Sequence, residues 1–197
     1  MKNPEITGVY SNIQINEAIE QGHIVQYPSA PELINASSID VRLGHHFYRT
    51  DIHGTERIYN PFDEEDIARY FGEPLEAQPL KELGELERLI DKRTLANIDP
   101  DQPVILMRSH ERILAHTHEF IGIKAPGTSS MQAKSTTGRN GIVVCKDAGW
   151  GDPGYVNRWT MEIYNLNERH SVVLPVGERI AQIVFMHTGE VEGSYDN

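Results

Sequence analysis

Apolar and polar residues alternate along the N-terminal third in a way that predicts one helix and two strands. A helix is predicted from Ser11 to Gln21, because apolar residues recur at helical spacing after a Ser-x-x-Gln capping box and Gly22 offers a stop. The apolar segment Ile24 to Tyr27 indicates a strand. After a loop, Ile39 to Gly44 alternate apolar and polar side chains, which is typical of a half-buried strand.

The second half of the chain consists of short segments rich in Val, Ile, Leu and Thr, separated by Gly, Pro, Asn and Asp. No helical pattern alternates with these segments from Pro103 onward. This spacing predicts an all-β sandwich or barrel. The candidate strands are Val104 to Met107, Ile113 to His116, Ile142 to Cys145, Trp159 to Tyr164, Val172 to Leu174 and Ile180 to Phe185.

Between these two regions, residues 60–101 are rich in Glu, Asp and Lys. Five apolar residues in this segment are spaced for one face of a helix. They are Leu80, Leu83, Leu86, Leu89 and Ile90. We expect a partly helical acidic insertion within a single domain that spans residues 1–197, since this length is typical of one domain.

Charge and composition narrow the classes of function. The chain of 197 residues carries a formal net charge of −11, which argues against sequence-independent binding to DNA or RNA. No apolar run is long enough to span a bilayer, and the N-terminus lacks the apolar core of a secretory signal. We therefore expect a soluble, cytoplasmic protein that binds an anionic ligand only through a local cluster of positive charge.

The inventory of metal-binding side chains is small. Cys145 is the only cysteine, which excludes an intrachain disulfide and any metal site with two thiolate ligands from one chain. His116 and His118 would share one strand face and are a possible metal pair. No third ligand follows at a typical spacing, so the sequence predicts no protein-bound metal.

The segment Lys134 to Gly141 combines two cations, three hydroxyls and two glycines. Glycines let backbone N–H groups approach phosphate oxygens, hydroxyls donate further hydrogen bonds, and Lys and Arg supply charge. The spacing is not that of a P-loop, and the same composition is typical of a solvated turn. Phosphate binding here is a hypothesis that needs further support.

Two carboxylates, those of Asp152 and Glu162, lie in segments where they could contact a ligand or transfer a proton. Asp152 belongs to the Gly- and Pro-rich loop Ala148 to Tyr155, where it either contacts a ligand or satisfies its own backbone. Glu162 shares a predicted strand face with Thr160 and Tyr164, and partial enclosure there would suit it to proton transfer near neutral pH. Most glutamates on strands face water, so both alternatives stay open for each carboxylate.

Five segments, taken in order, resemble the dCTP deaminase family, a branch of the trimeric dUTPase-like fold. The resemblance implies a mainly β fold: a dUTPase-like distorted β-barrel or jelly roll with a short N-terminal helix and a partly helical acidic insertion. The segments are Ile34 to Gly44, similar to Ser-x-Asp-x-Arg-Leu-Gly; Lys134 to Arg139, similar to Arg/Lys-Ser-Ser-x-x-Arg; Ala148 to Tyr155, similar to Ala-Gly-x-x-Asp-x-Gly-Tyr/Phe; Thr160 to Ile163, similar to Thr-Leu-Glu-Leu; and Leu174 to Phe185, similar to Gly-x-x-Ile-x-Gln-x-x-Phe.

The resemblance implies metal-independent hydrolytic deamination of dCTP to dUTP and ammonia. Glu162 would act as the general base that takes a proton from water and passes it toward the leaving ammonia. Ser135 and the backbone carbonyl of Ala148 would position that water, while Arg139 would hold Glu162 and polarise the water. The lone Cys145 excludes the zinc site of the classical deaminases, which requires Pro-Cys-x-x-Cys.

The resemblance also implies the substrate contacts and the assembly. We expect a homotrimer with active sites shared between subunits, and Mg²⁺ that bridges the nucleotide phosphates in place of a protein-bound metal such as zinc. The implied contacts are Lys134, Ser135, Thr136, Thr137, Gly138 and Arg139 around the triphosphate, Asp152 at the deoxyribose, backbone groups of Thr160, Met161 and Glu162 at the pyrimidine, and Tyr195 near the nucleotide.

Some positions depart from the family pattern. Thr137 and Gly138 replace the commoner Leu-Ala, and Asn157 replaces a frequent glycine. Family members usually continue into a Lys- and Gln-bearing lid over the triphosphate, whereas the sequence here ends at Asn197; either the sequence is a fragment, or the lid is absent or supplied otherwise.

Two alternatives to the plain deaminase stay open. The first is a bifunctional dCTP deaminase and dUTP diphosphatase that releases dUMP and pyrophosphate, with Asp152 activating water at the α-phosphate. The second is a non-catalytic nucleotide-binding homologue. Glu162 favours deamination, while Asp152 keeps hydrolysis open.

Overall fold

The computed structural model describes residues 8–50, 58–84, 95–193 and 195. Strands dominate these residues, which confirms the prediction of a mainly β fold. The helices and strands are α1 (Asn12–Glu20), β1 (Ile24–Tyr27), β2 (Ile39–Arg49), α2 (Glu64–Phe71), β3 (Leu75–Glu76), β4 (Gln78–Pro79), β5 (Pro103–Met107), β6 (Arg112–Ile123), β7 (Thr128–Ala133), α3 (Ser135–Arg139), β8 (Ile142–Val143), β9 (Trp150–Gly151), β10 (Val156–Asn165), β11 (Val172–Pro175) and β12 (Arg179–Met186).

Two antiparallel sheets organise the described strands. The larger sheet has nine strands, and its main path runs β8-β10-β6-β2-β12-β7-β9, with β1 paired to β6 and β3 paired to β2. The smaller sheet has the order β11-β5-β4. Buried apolar residues from Tyr10 to Phe185 pack into one hydrophobic cluster. Among the described residues, no helix has the length and apolar character needed to cross a membrane.

Helix α1 begins and ends where the sequence predicts. The Ser11 hydroxyl accepts a hydrogen bond from the Gln14 backbone N–H at 3.4 Å, and the Gln14 side chain accepts one from the Ser11 N–H at 2.9 Å. This reciprocal pair satisfies two backbone donors that the first turn leaves without partners. Gly22 follows with a φ of +68°, a conformation that glycine adopts without steric cost. Ile15 and Ala18 face the core.

Strand β6 lies at the centre of the larger sheet and pairs with β1, β2 and β10. On β10, Trp159, Met161 and Ile163 are buried, whereas Glu162 on the opposite face is only half-buried. This alternation confirms the predicted two faces of the strand. In the register of the pair, Glu162 lies opposite Leu114.

The β6–β10 pairing is irregular at Trp159, where the register shifts between Arg158 and Thr160. The Thr117 hydroxyl accepts a hydrogen bond from the Trp159 backbone N–H at 2.9 Å and donates to the Glu119 carbonyl at 2.7 Å. The Trp159 indole donates to the Ile121 carbonyl at 2.9 Å. The bulge therefore leaves these buried polar groups with partners, as a stable core requires.

Some predicted strands differ in length from the observed ones. The strand predicted from Ile113 to His116 extends over Arg112–Ile123, whereas the one predicted from Ile142 to Cys145 ends at Val143. Cys145 has a φ of +61°, which is incompatible with an extended strand.

Four strands were not predicted: the two-residue strands β3 and β4 in the acidic segment, and β7 and β9. Strand β7 carries buried Thr128 and Ser129 where an apolar alternation would place apolar residues, so its pattern was not typical of a strand. Strand β9 has only two residues, Trp150–Gly151, and a segment so short carries no period in its sequence.

The acidic segment is partly helical, as predicted, but its helix lies elsewhere. Helix α2 begins after Asp63, whose carboxylate accepts a hydrogen bond from the Asp66 N–H at 2.9 Å, and none of its residues is buried. The α-helix predicted from the spacing of the leucines is not observed at its start, where Leu80–Glu82 forms a single 3-10 turn. Three residues of that predicted face, Leu86, Leu89 and Ile90, lie outside the described residues. The extent of the single domain, residues 1–197, stays a prediction.

Gly122 on β6 is required by close backbone packing. A Cβ atom at this position would lie 1.9 Å from the Tyr155 carbonyl oxygen, and backbone atoms cannot move aside as a flexible side chain can. We expect Gly122→Ala to lower the free energy of unfolding by about 1–3 kcal/mol, the usual cost of overpacking. Urea denaturation measures this change. Gly84→Ala is the matched control, since its Cβ would meet nothing within 4 Å; equal stability of the two variants would contradict the packing argument.

Candidate active site

A cavity of about 350 Å³ opens over the outer face of β6 and β10, beside the loop that follows β8. It brings together five residues that the sequence analysis singled out. These are Ala148, Asp152, Thr160, Glu162 and Tyr195. The rest of its described lining is Arg112, Leu114, Trp150, Tyr155 and Trp159.

Glu162 is held by the loop that folds over its strand. One carboxylate oxygen, Oε2, accepts a hydrogen bond from the Asp147 backbone N–H at 3.2 Å. The Glu162 carbonyl accepts another from the Cys145 N–H at 3.2 Å. The loop therefore fixes the orientation of the carboxylate and brings Ala148, one residue further on, to the cavity.

The thiol of Cys145 lies close to Glu162. Burial, and next the negative charge of Glu162, raise the pKa of the Cys145 thiol from 9.0 to about 11. Because the thiolate is the reactive form, this side chain is protonated and inert near neutral pH. Gly149 keeps the loop close to the sheet, since a Cβ there would lie 2.9 Å from the Met131 carbonyl oxygen.

Aromatic rings form one end of the cavity. Tyr155 packs edge-on against Trp159, with 5.1 Å between ring centroids, and against Tyr195, with 4.8 Å. The Tyr195 backbone N–H donates to the Pro153 carbonyl at 2.9 Å, which fixes the C-terminal segment against the loop. Asp152 is exposed within this loop, and its carbonyl accepts a hydrogen bond from the Tyr155 N–H.

The predicted phosphate element does not reach the cavity within one chain. It forms the short helix α3, on which Ser135, Thr136, Gly138 and Arg139 are exposed and Thr137 is half-buried. None of these residues belongs to the described lining of the cavity. Their roles in catalysis and phosphate binding stay predictions, as does the sharing of sites between subunits.

Lys134 has a structural partner. Its ammonium group lies 2.5 Å from Oδ2 of Asp40, a carboxylate that is 1% exposed. The other oxygen of Asp40 accepts a hydrogen bond from the Asn35 side chain at 2.9 Å, and Arg179 lies 3.4 Å from Oδ2. Because a buried carboxylate needs such partners, Lys134 stabilises the fold at this position. Its predicted contact with a triphosphate stays a prediction.

The structure also places Met161 and His116. The side chain of Met161 is fully buried, so only its backbone could contact a ligand.

The ring of His116 accepts a hydrogen bond from the His46 N–H at Nε2 and therefore donates from Nδ1 to the Thr117 carbonyl at 2.7 Å. Both ring nitrogens are occupied, which gives His116 a structural role. Across the described residues, no group of three or more His, Cys, Asp or Glu side chains is arranged to hold a metal ion.

Five residues of the cavity were given no functional role in the sequence analysis: Arg112, Leu114, Trp150, Tyr155 and Trp159. Trp150 and Tyr155 lie in a loop that the sequence did single out, so their proximity to Asp152 was a usable signal. Arg112 gave no such signal, because its neighbourhood depends on the pairing of β6 with β10.

Comparison with known proteins identifies the family. The family model described as dCTP deaminase-like matches residues 9–188. This chain belongs to the dCTP deaminase-like family.

Curated members of the dCTP deaminase-like family resemble this chain along most of its length. A protein of Methanopyrus kandleri is 32% identical over 183 residues, which cover 90% of this chain and 80% of the relative. A protein of Thermobifida fusca is 30% identical over 186 residues, which cover 94% of this chain and 81% of the relative. Both relatives carry the name "dCTP deaminase, dUMP-forming".

A solved structure shows the same fold. It is the crystal structure of 2′-deoxycytidine 5′-triphosphate deaminase from Agrobacterium tumefaciens, with a TM-score of 0.62 and 16% identity. The match covers 93% of this chain and 50% of the solved chain, so this chain spans about half the length of that protein. The similarity confirms the predicted fold class.

The reactivity of Cys145 tests how close its thiol lies to Glu162. At pH 8, below both values, a pKa of about 11 in place of 9.0 lowers the thiolate fraction, and hence the alkylation rate, about 100-fold. We expect iodoacetamide to react about 100-fold more slowly with the folded protein than with the protein in guanidinium chloride. The folded protein's rate should rise with pH up to about 11. Glu162→Gln should accelerate the reaction of the folded protein, and an unchanged rate would contradict this geometry.

Proposed function

We propose that this protein deaminates dCTP and then hydrolyses the resulting dUTP to dUMP and pyrophosphate. The observation that carries the proposal is a single cavity that holds Glu162 on its strand wall and Asp152 in its loop wall. The names of the curated relatives, which specify dUMP as the product, favour this bifunctional alternative over the plain deaminase that was our main expectation from the sequence.

Deamination uses the carboxylate of Glu162. With Oε2 already bound to the Asp147 N–H, Oε1 is the oxygen that would accept a proton from water. The water oxygen then forms a bond to C4 of the pyrimidine, and the proton moves through Glu162 to the amino group. The C4–N bond breaks and ammonia leaves, while the second proton of the water moves to N3 and a C4 carbonyl remains. The backbone carbonyl of Ala148, which lines the same cavity, would orient the water.

The remaining groups would come from a neighbouring subunit. Ser135 and Arg139 are exposed on α3 and lie outside the described lining of this chain's own cavity. In a homotrimer with shared sites, α3 of one subunit would enter the cavity of the next. Ser135 would then hold the water, and Arg139 would stabilise the charge that develops during attack.

Hydrolysis of dUTP uses Asp152. This carboxylate is exposed at the aromatic end of the cavity, where it would activate water for attack on the α-phosphate. Attack breaks the bond between the α- and β-phosphates and releases pyrophosphate. In this proposal the nucleotide phosphates, and not protein side chains, would hold Mg²⁺, which would offset the charge of a triphosphate against a chain of net charge −11.

Glu162→Gln and Asp152→Asn separate the two steps. Both changes remove a charge with little change in volume. We expect Glu162→Gln to lower dCTP conversion by at least about 100-fold, the low end for a general base, while dUTP is still converted to dUMP. Asp152→Asn should convert dCTP to dUTP and ammonia and stop there. Chromatography of the nucleotides, with assays for ammonia and pyrophosphate, measures both variants.

The wild-type protein with dCTP, dUTP and Mg²⁺ is the reference for these variants. Ammonia and dUTP without dUMP would support the plain deaminase instead. If the wild-type protein binds dCTP but forms no product from either nucleotide, it is a non-catalytic homologue. Undiminished dCTP turnover by Glu162→Gln would refute the role of that carboxylate.

Subunit mixing tests whether the active sites are shared. Glu162→Gln and Arg139→Ala are each expected to abolish deamination, because each removes one component of every site. In mixed trimers some sites combine an intact Glu162 from one subunit with an intact Arg139 from its neighbour. We expect dCTP deamination to reappear when the two variants are unfolded and refolded together. Activity that stays at the level of the separate variants would contradict shared sites.

A further inference from the structure

Arg112 supplies a positive charge to the cavity that the proposed function does not use. It is the only lysine or arginine in the described lining, which also contains the carboxylates of Asp152 and Glu162. Its Nε atom is buried and has no hydrogen-bond partner. Buried donors in native proteins almost always have an acceptor, so this N–H group points to an acceptor that a ligand provides.

Two other cations on or next to the same sheet have carboxylate partners. Nε of Arg42 lies 2.5 Å from the fully buried carboxylate of Glu119, and the ammonium group of Lys134 lies 2.5 Å from Asp40. Within the part of the chain that the structure describes, Arg112 forms no such ion pair. Its charge is therefore not explained by the stability of the fold.

The register of β6 and β10 gives the position of Arg112 along the cavity. Gly122 pairs with Val156, next to the loop of Asp152, whereas Arg112 pairs with Tyr164 at the other end. Glu162 lies between these ends, opposite Leu114. Arg112 and Asp152 therefore lie on opposite sides of Glu162.

This order fixes which edge of the pyrimidine meets Arg112. In the proposed function the α-phosphate lies at Asp152 and the base lies at Glu162, so the deoxyribose that joins them lies on the Asp152 side of the base. The sugar is attached at N1, and C4 is directly across the six-membered ring from N1. The substituent on C4 therefore points away from Asp152 and toward Arg112.

The chemistry of the guanidinium group then discriminates between substrate and product. Arginine only donates hydrogen bonds. The amino group on C4 of cytosine also donates, so the two groups cannot pair. The oxygen that water brings to C4 accepts, both in the tetrahedral intermediate and in the uracil ring.

We infer that Arg112 is a specificity-determining residue whose guanidinium group donates a hydrogen bond to the oxygen on C4 of the pyrimidine. The inference rests on the proposed function, since it takes the position of the base from the role of Glu162. Arg112 stabilises the oxygen as it is added and holds dUTP in the cavity more tightly than dCTP. This retention keeps the uracil nucleotide bound for hydrolysis.

Binding measurements test this inference with a variant that does not deaminate and with nucleotide analogues that resist hydrolysis. The parent protein is Glu162→Gln, and the ligands are the α,β-imido analogues of dCTP and dUTP with Mg²⁺, followed by calorimetry. Adding Arg112→Leu should weaken binding of the dUTP analogue by about 10- to 100-fold, the range for a charged hydrogen bond, and that of the dCTP analogue less than about 3-fold. Arg112→Lys, which keeps a charged donor, should recover part of the loss.

Arg169→Leu is the matched control, because Arg169 is exposed in the turn after β10 and should change neither affinity. Equal weakening of both analogues by Arg112→Leu, or no weakening, would overturn the inference, since the acceptor would then be common to both nucleotides or absent. If Arg112→Leu does not fold, the affinities of Arg112→Lys for the two analogues are compared instead, and the dUTP analogue should again be weakened more than the dCTP analogue. Failure of the parent protein to bind either analogue would instead overturn the proposed function and the inference together.

Discussion

The structure depends on the irregular pairing of β6 with β10 around Thr117. The hydroxyl of Thr117 accepts the Trp159 backbone N–H where the register shifts, and it donates to the carbonyl of Glu119. The Glu119 carboxylate in turn accepts hydrogen bonds from the backbone and the guanidinium group of Arg42 on β2. Three strands are thus joined through buried polar groups. Since each of these groups would be costly without its partner, the register of β10 is fixed, and with it the face on which Glu162 lies.

Some carboxylates of this protein stabilise the fold, whereas others line the cavity. Asp40 and Glu119 are nearly inaccessible and are satisfied by cations and backbone donors of the same sheet. Glu162 and Asp152 instead line the cavity, where Arg112 is the neighbouring cation. Because the chain carries a net charge of −11, an anion can bind only where local cations and hydrogen-bond donors outweigh the repulsion from the overall negative charge. In the homotrimer that we propose, the exposed guanidinium group of Arg139 and the exposed hydroxyls of Ser135 and Thr136 on α3 would serve that role.

Elements with strong local signals were predicted well. The capping box, the apolar face of α1 and the alternation on β10 are set by residues within a few positions of each other, and each is observed. Elements whose burial depends on distant partners were missed. Strand β7 buries the hydroxyls of Thr128 and Ser129, which no apolar period indicates, and the leucines near Leu80 do not continue an α-helix because the chain there forms a 3-10 turn.

The sequence by itself determined the family, the mainly β fold and the set of candidate residues, because these follow from local periodicity and from motifs read along the chain. The tertiary structure decided which of those residues meet. It brought Glu162, Ala148 and Asp152 to one cavity and added Arg112, while Ser135 and Arg139 stayed on α3 outside that cavity's described lining. The physical reason is that strand pairing is selected by burial and hydrogen bonding between segments far apart in sequence. A periodic pattern shows which face of a strand is buried, but not which strand lies beside it.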